Sequence, residues 1–190
     1  MRPFDYIISL CSFAYALGVT HLLFAATRMI RNRRILVFSW PHGLWMLVAL
    51  VLAVLNWLSL WDFHHLDPLP LGVIVPGLVV VGIQYFVCAL VSPDFDDGEG
   101  YDMRAFHARE GRTYMGAVLV LLLVSLIVNF AAGAAEGMTS EAEQNLPILS
   151  MIPFVILPLV VRLRWVQLLS PLVLIATMAT FTTLWYPVLK

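Results

Sequence analysis

Six apolar runs separated by short polar segments restrict this chain more than any other feature. They cover about 4–26, 35–61, 71–91, 114–133, 146–161 and 166–189. A helix rises about 1.5 Å per residue and needs roughly 20 apolar residues to cross a bilayer. Composition agrees: 61% of residues are hydrophobic, 12% are charged, and mean hydropathy is +0.89, where a soluble domain carries about 25% charged residues. The pattern reads as an all-α integral membrane protein, a bundle of six transmembrane helices forming one polytopic domain over residues 1–190. Run five is the shortest, and Pro147, Pro153 and Pro158 interrupt it. Each internal proline removes a helix hydrogen bond, so that crossing is expected to be thin, kinked or broken.

The basic residues set an orientation. Arg28, Arg31, Arg33 and Arg34 separate runs one and two; Arg104, Arg109 and Arg112 separate runs three and four; Arg162 and Arg164 separate runs five and six. The other side holds only Arg2 and Lys190. Short loops rich in arginine stay cytoplasmic, so both termini are expected to be extracytoplasmic. A bacterial inner (plasma) membrane fits this arrangement. The first residues lack the small-x-small cleavage pattern of a signal peptide. Cys11 and Cys88 differ in depth by about 15 Å on helical rise, beyond the roughly 7 Å that a disulfide tolerates between Cα atoms. They are therefore expected to stay unpaired.

Inside so apolar a chain, the few polar side chains carry the information about function. His21 lies about 10 Å inward of Arg28, and His42 about 12 Å inward of Arg34. Ala14, Gly18, His21 and Ala25 share one helical stripe; so do His42, Ala49, Ala53 and Asn56. Small residues let membrane helices approach closely, so both histidines are assigned to packing faces on adjacent helices. Gln84, Tyr85 and Ser170 fall at comparable depth, about 9–15 Å from the arginine-rich side. The five residues His21, His42, Gln84, Tyr85 and Ser170 are thus expected to form one polar layer in the cytoplasmic half, as contacts for a substrate or ion. Asn56 is placed near the outer surface. No carboxylate lies mid-span, so histidine alone could relay protons.

The segment 92–113 reads as a cytoplasmic loop. It opens with Asp94, Asp96, Asp97, Glu99 and Asp102 and continues into a helix-compatible stretch bearing His107 and Glu110 three residues apart. The acidic cluster invites cation binding or regulation, but the order of ligands in an EF-hand is absent; a solvated hairpin is the simpler reading. In the outer segment, His64 and His65 could join Asp62 and Asp67 at a metal, although adjacent histidines in a loop are usually solvated. Trp57, Trp61, Trp185 and Tyr186 match an interfacial aromatic belt.

No GxSxG, HExxH, CxxC or glycine-rich phosphate loop is present, so nothing points to an enzyme. Three uses of His21 and His42 remain. They can hydrogen-bond helices together in a non-catalytic subunit of a membrane assembly. They can line a cytoplasm-facing polar cavity of a transport-type or channel-type protein. They can hold a haem or metal between spans one and two. The transport-type reading is the one adopted from sequence. The expected surroundings are the lipid bilayer and either a second copy (a homo-oligomer) or another membrane protein. A net charge of -1 gives no reason to expect nucleic acid.

Overall fold

The computed structural model describes residues 3–63, 71–94, 101–136 and 141–185. Six helices dominate: α1 (Pro3–Arg31), α2 (Trp40–Ser59), α3 (Leu71–Val91), α4 (Met103–Glu136), α5 (Glu141–Val160) and α6 (Arg164–Trp185). A short 3-10 turn, Leu60–Phe63, extends α2. Two-residue strands β1 (Leu36–Val37) and β2 (Tyr101–Asp102) pair in parallel, Leu36 opposite Tyr101 and Val37 opposite Asp102. The fold is therefore all-α apart from this small bridge. Five helices are long and apolar enough to cross a membrane: α1, α2, α3, α4 and α6. In α5 the apolar part is only Asn145–Val160. This architecture fits an integral membrane protein.

The helix ends have local causes. Pro41 sits in the first turn of α2, where its missing N–H would have had no partner in any case. Asp102 caps α4: its Oδ1 accepts from the backbone N–H of Arg104 at 2.8 Å and of Ala105 at 3.2 Å. That satisfies two of the donors a helix start leaves open. At the end of α5, the Gln167 side-chain amide donates to the carbonyls of Pro158 at 2.7 Å and Val161 at 3.0 Å. Despite its three prolines, α5 runs as one continuous helix.

Packing makes α2 the central helix. It touches α1, α3, α4 and α6, while α1–α3, α3–α4, α4–α5 and α5–α6 contacts form an arc around it. Of its membrane-compatible stretch 39% is buried, against 22% to 28% for the other four. The connections also show which ends lie together. The β1–β2 pair joins the α1–α2 connection to the start of α4, and Gln167 joins the α5–α6 connection to the same place through His107. Arginine residues from all three connections thus share one end of the bundle. At the other end, Trp57 donates to Ser12 Oγ at 2.9 Å, and Asn129 donates to Asn145 at 3.1 Å.

Helix α4 starts earlier than the charge pattern suggested. Met103, Phe106, His107, Gly111 and Tyr114 recur at helical spacing and turn inward, whereas Arg104, Arg109 and Arg112 stay exposed. At about 1.5 Å per residue its 34 residues exceed the ~30 Å hydrocarbon thickness. The stretch 103–113, expected as part of a loop, is therefore the first three turns of this helix.

Candidate functional site

The first turn of α2 delivers His42 into the bundle, where it is fully buried. Three rings of α4 surround it: Phe106 at 5.0 Å between centroids, Tyr114 at 5.8 Å and His107 at 6.5 Å. Trp45, one turn along α2, packs on Tyr114 at 6.1 Å. Among the described residues, neither ring nitrogen of His42 has a hydrogen-bond partner, and Trp45 Nε1 has none either. Buried polar atoms are paired in the great majority of cases, so three unmet nitrogens in one cluster set this place apart.

His107 is the opposite case, with both nitrogens engaged. Nδ1 meets the Tyr114 hydroxyl in a short hydrogen bond, and Nε2 meets Gln167 Oε1 at 3.2 Å. The tautomer follows. The Gln167 amide nitrogen is committed to the carbonyls of Pro158 and Val161, so its oxygen, which can only accept, faces the ring. Nε2 must carry the hydrogen, and Nδ1 accepts from the tyrosine O–H. Tyr114 reaches back two turns because helical side chains lean toward the N-terminus.

His21 takes no part in this cluster. It is exposed on α1, and its ring meets Tyr85 of α3 edge-on at 5.8 Å, with a long Nε2 to hydroxyl contact of 3.4 Å. The expected ring contact between His21 and His42 is not formed: His21 meets Tyr85, and His42 meets the three rings of α4. The physical reason is a rotation of one residue. The buried face of α1 is Cys11, Tyr15, Gly18, Leu22, Ala25 and Met29, and His21 lies at its edge. Gly18 does mark a close approach, since a Cβ there would lie 3.3 Å from Cys88 Sγ.

Gln84 and Ser170 are both buried, on α3 and α6. Gln84 forms a second polar group. Its Oε1 accepts from Asn56 Nδ2 at 3.0 Å, and its Nε2 donates to the Ala49 carbonyl at 3.3 Å and toward Cys88 Sγ at 3.5 Å. Asn56, expected at the outer surface, is thereby tied to Gln84 further inside. The single polar layer of the sequence reading resolves into separate groups: His21 with Tyr85, Gln84 with Asn56, and His42 with three α4 rings. Cys11 and Cys88 are buried and free.

In the acidic segment, Asp94 is exposed and Asp102 is the α4 cap. Glu110 pairs with Arg109 at 2.9 Å and not with His107. Asp96, Asp97 and Glu99 lie outside the described residues, as do His64, His65 and Asp67. Among the described residues no group of three or more His, Cys, Asp or Glu side chains could hold a metal ion. Burial pushes the Tyr101 hydroxyl up to about 12, with nearby Arg109 pulling the other way, so it stays neutral at ordinary pH. An apolar cleft of about 60 Å³ opens at the arginine-poor end, among Phe4, Ile7, Cys11, Ile74, Gly77 and Val128. It contains none of the polar groups above and is not the polar cavity expected from sequence.

Sequence reasoning missed Trp45, Phe106, Tyr114 and Gln167. The spacing of Met103, Phe106, His107 and Tyr114 was a usable signal, masked by the surrounding charges. Fold and site together define a class: a helical bundle with membrane-compatible helices and a buried histidine–tyrosine cluster at its arginine-rich end. The chain matches no protein-family model, and comparison with curated proteins and with solved structures finds no match.

Proposed function

We propose that this is a six-span membrane protein of transport or channel type, its arginine-rich end cytoplasmic and both termini on the other side. Its working centre is His42 with His107 and Tyr114, and it passes protons or a small polar solute that exchanges protons there. The observation that carries this reading is His42 itself: fully buried on the central helix, with both ring nitrogens unmet among the described residues. A histidine kept only to bind helices together would be expected to make the bond.

Two further features support it. The Tyr114 hydroxyl donates to His107, and its ring also faces His42. When His107 takes up a second proton, on Nδ1, the tyrosine oxygen becomes the acceptor. Its own hydrogen is then free to turn toward His42. The second feature is the register of α2. His42, Ala49 and Asn56 recur every seven residues, about 10 Å apart. The Ala49 carbonyl and Asn56 are the groups that Gln84 bridges, so buried polar atoms follow one stripe of the central helix. Span five, with only sixteen apolar residues or so, would cross where the bilayer thins locally.

The test is proton flux into vesicles loaded with a pH-sensitive dye, under an imposed potential. Vesicles carrying the protein should acidify faster than protein-free ones, and Tyr114→Phe, which removes only the hydroxyl, should slow them at least tenfold. Equal rates with and without protein, or full flux in Tyr114→Phe, would contradict the reading.

A further inference from the structure

The charges near the arginine-rich connections are unevenly distributed along the sequence. The carboxylates Asp94, Asp96, Asp97, Glu99, Asp102 and Glu110 all fall between the end of α3 and the first turns of α4. The sequence has no Asp or Glu between Asp5 and Asp62, and none after Glu143. The starts of α2 and α6 therefore contribute arginine and no acid of their own; Asp102, which the β1–β2 pair brings beside Val37, is engaged through Oδ1 at the start of α4. Arg33, Arg34, Arg162 and Arg164 are all exposed, and none pairs with a carboxylate among the described residues.

Two large aromatic rings lie at the same level. Trp40 opens α2 and Trp165 follows the first residue of α6; they are 69% and 75% exposed. Helices α2 and α6 pack side by side and both start at this end, so their positive helix termini point the same way. Exposed Trp beside exposed Arg is the signature of the headgroup layer, where the ring lies among the lipids and the cation faces phosphate.

We infer that the α2–α6 sector, Arg33, Arg34 and Trp40 on one side and Arg162, Arg164 and Trp165 on the other, is a docking surface for an anionic phospholipid headgroup. Charge complementarity selects the lipid: guanidinium groups grip phosphate oxygens in pairs, and among the described residues no carboxylate pairs with these arginines. The inference rests on membrane embedding but not on proton movement, so either can fail without the other.

The experiment is native mass spectrometry of the purified full chain in detergent, titrated with phosphatidylglycerol or with phosphatidylcholine. Wild type should retain phosphatidylglycerol preferentially. Arg162→Gln with Arg164→Gln should lower that preference by roughly fivefold per arginine removed. Arg109→Gln with Arg112→Gln, in the acid-bearing sector, should leave it unchanged. If the first pair fails to fold, Trp165→Ala should still weaken retention. Equal retention of the two lipids, or equal losses in both arginine pairs, would overturn the inference. So would a dimer that buries the sector and excludes lipid from it.

Discussion

His21 and His42 each face a tyrosine from a neighbouring helix, at the same centroid distance of 5.8 Å. His21 lies about three turns before the end of α1. His42 lies in the first turn of α2, where the helical depth expected from Arg34 is not kept because α2 begins only at Trp40. Yet His21 is exposed and His42 completely buried. The chemistry is matched; the face of the helix decides which ring is buried. A rotation of one residue, about 100° at 3.6 residues per turn, separates a histidine on the bundle surface from one locked in its centre. The two tyrosines follow suit. Tyr85 is partly exposed, while Tyr114 is buried and bonded to a second histidine.

The largest effect should come from the buried partner. Tyr114→Ala empties the space between His42, Trp45 and His107 and should cost about 3–5 kcal/mol in thermal or denaturant unfolding in detergent; Tyr85→Ala should cost far less, and equal losses would erase the contrast. Next is Gln167→Ala. It uncovers the Pro158 and Val161 carbonyls and the His107 Nε2–H together, and should cost about 1–3 kcal/mol. An unchanged stability would mean that the α5–α6 turn does not depend on this amide. In the second polar group, Gln84→Leu should cost about 1 kcal/mol, because hydrogen bonds between membrane helices are individually modest.

Substituting the two histidines sharpens the comparison further. His42→Leu removes nitrogens that have no partner among the described residues and keeps an apolar side chain of similar size, so stability should hold or rise slightly. A loss of about 3 kcal/mol would reveal a bond at His42 and return it to a structural role. His21→Ala should change stability by less than about 0.5 kcal/mol, as surface substitutions do.

Much of the architecture was legible because its cause is local. Continuous apolar length specified the helices, and arginine placement specified which connections share an end, as the β1–β2 pair and the His107–Gln167 contact bear out. The buried stripe His42, Ala49 and Ala53 was legible too, since small residues mark close approach. The face of His21 was not. In a membrane, apolar side chains serve both the packing face and the lipid face, so Leu22 and Leu23 look alike in sequence, although only Leu22 is buried. The early start of α4 was hidden by its charges, which occupy the outer face of a helix whose inner face completes the site. Gln167 was illegible for another reason: its partners, Pro158, Val161 and His107, meet only once three connections have converged.

The most direct test compares proton flux in vesicles carrying His42→Leu with flux in vesicles carrying His21→Leu. Flux should be abolished by the first substitution and retained by the second. Equal flux in both, or a loss confined to His21→Leu, would contradict a working centre at His42.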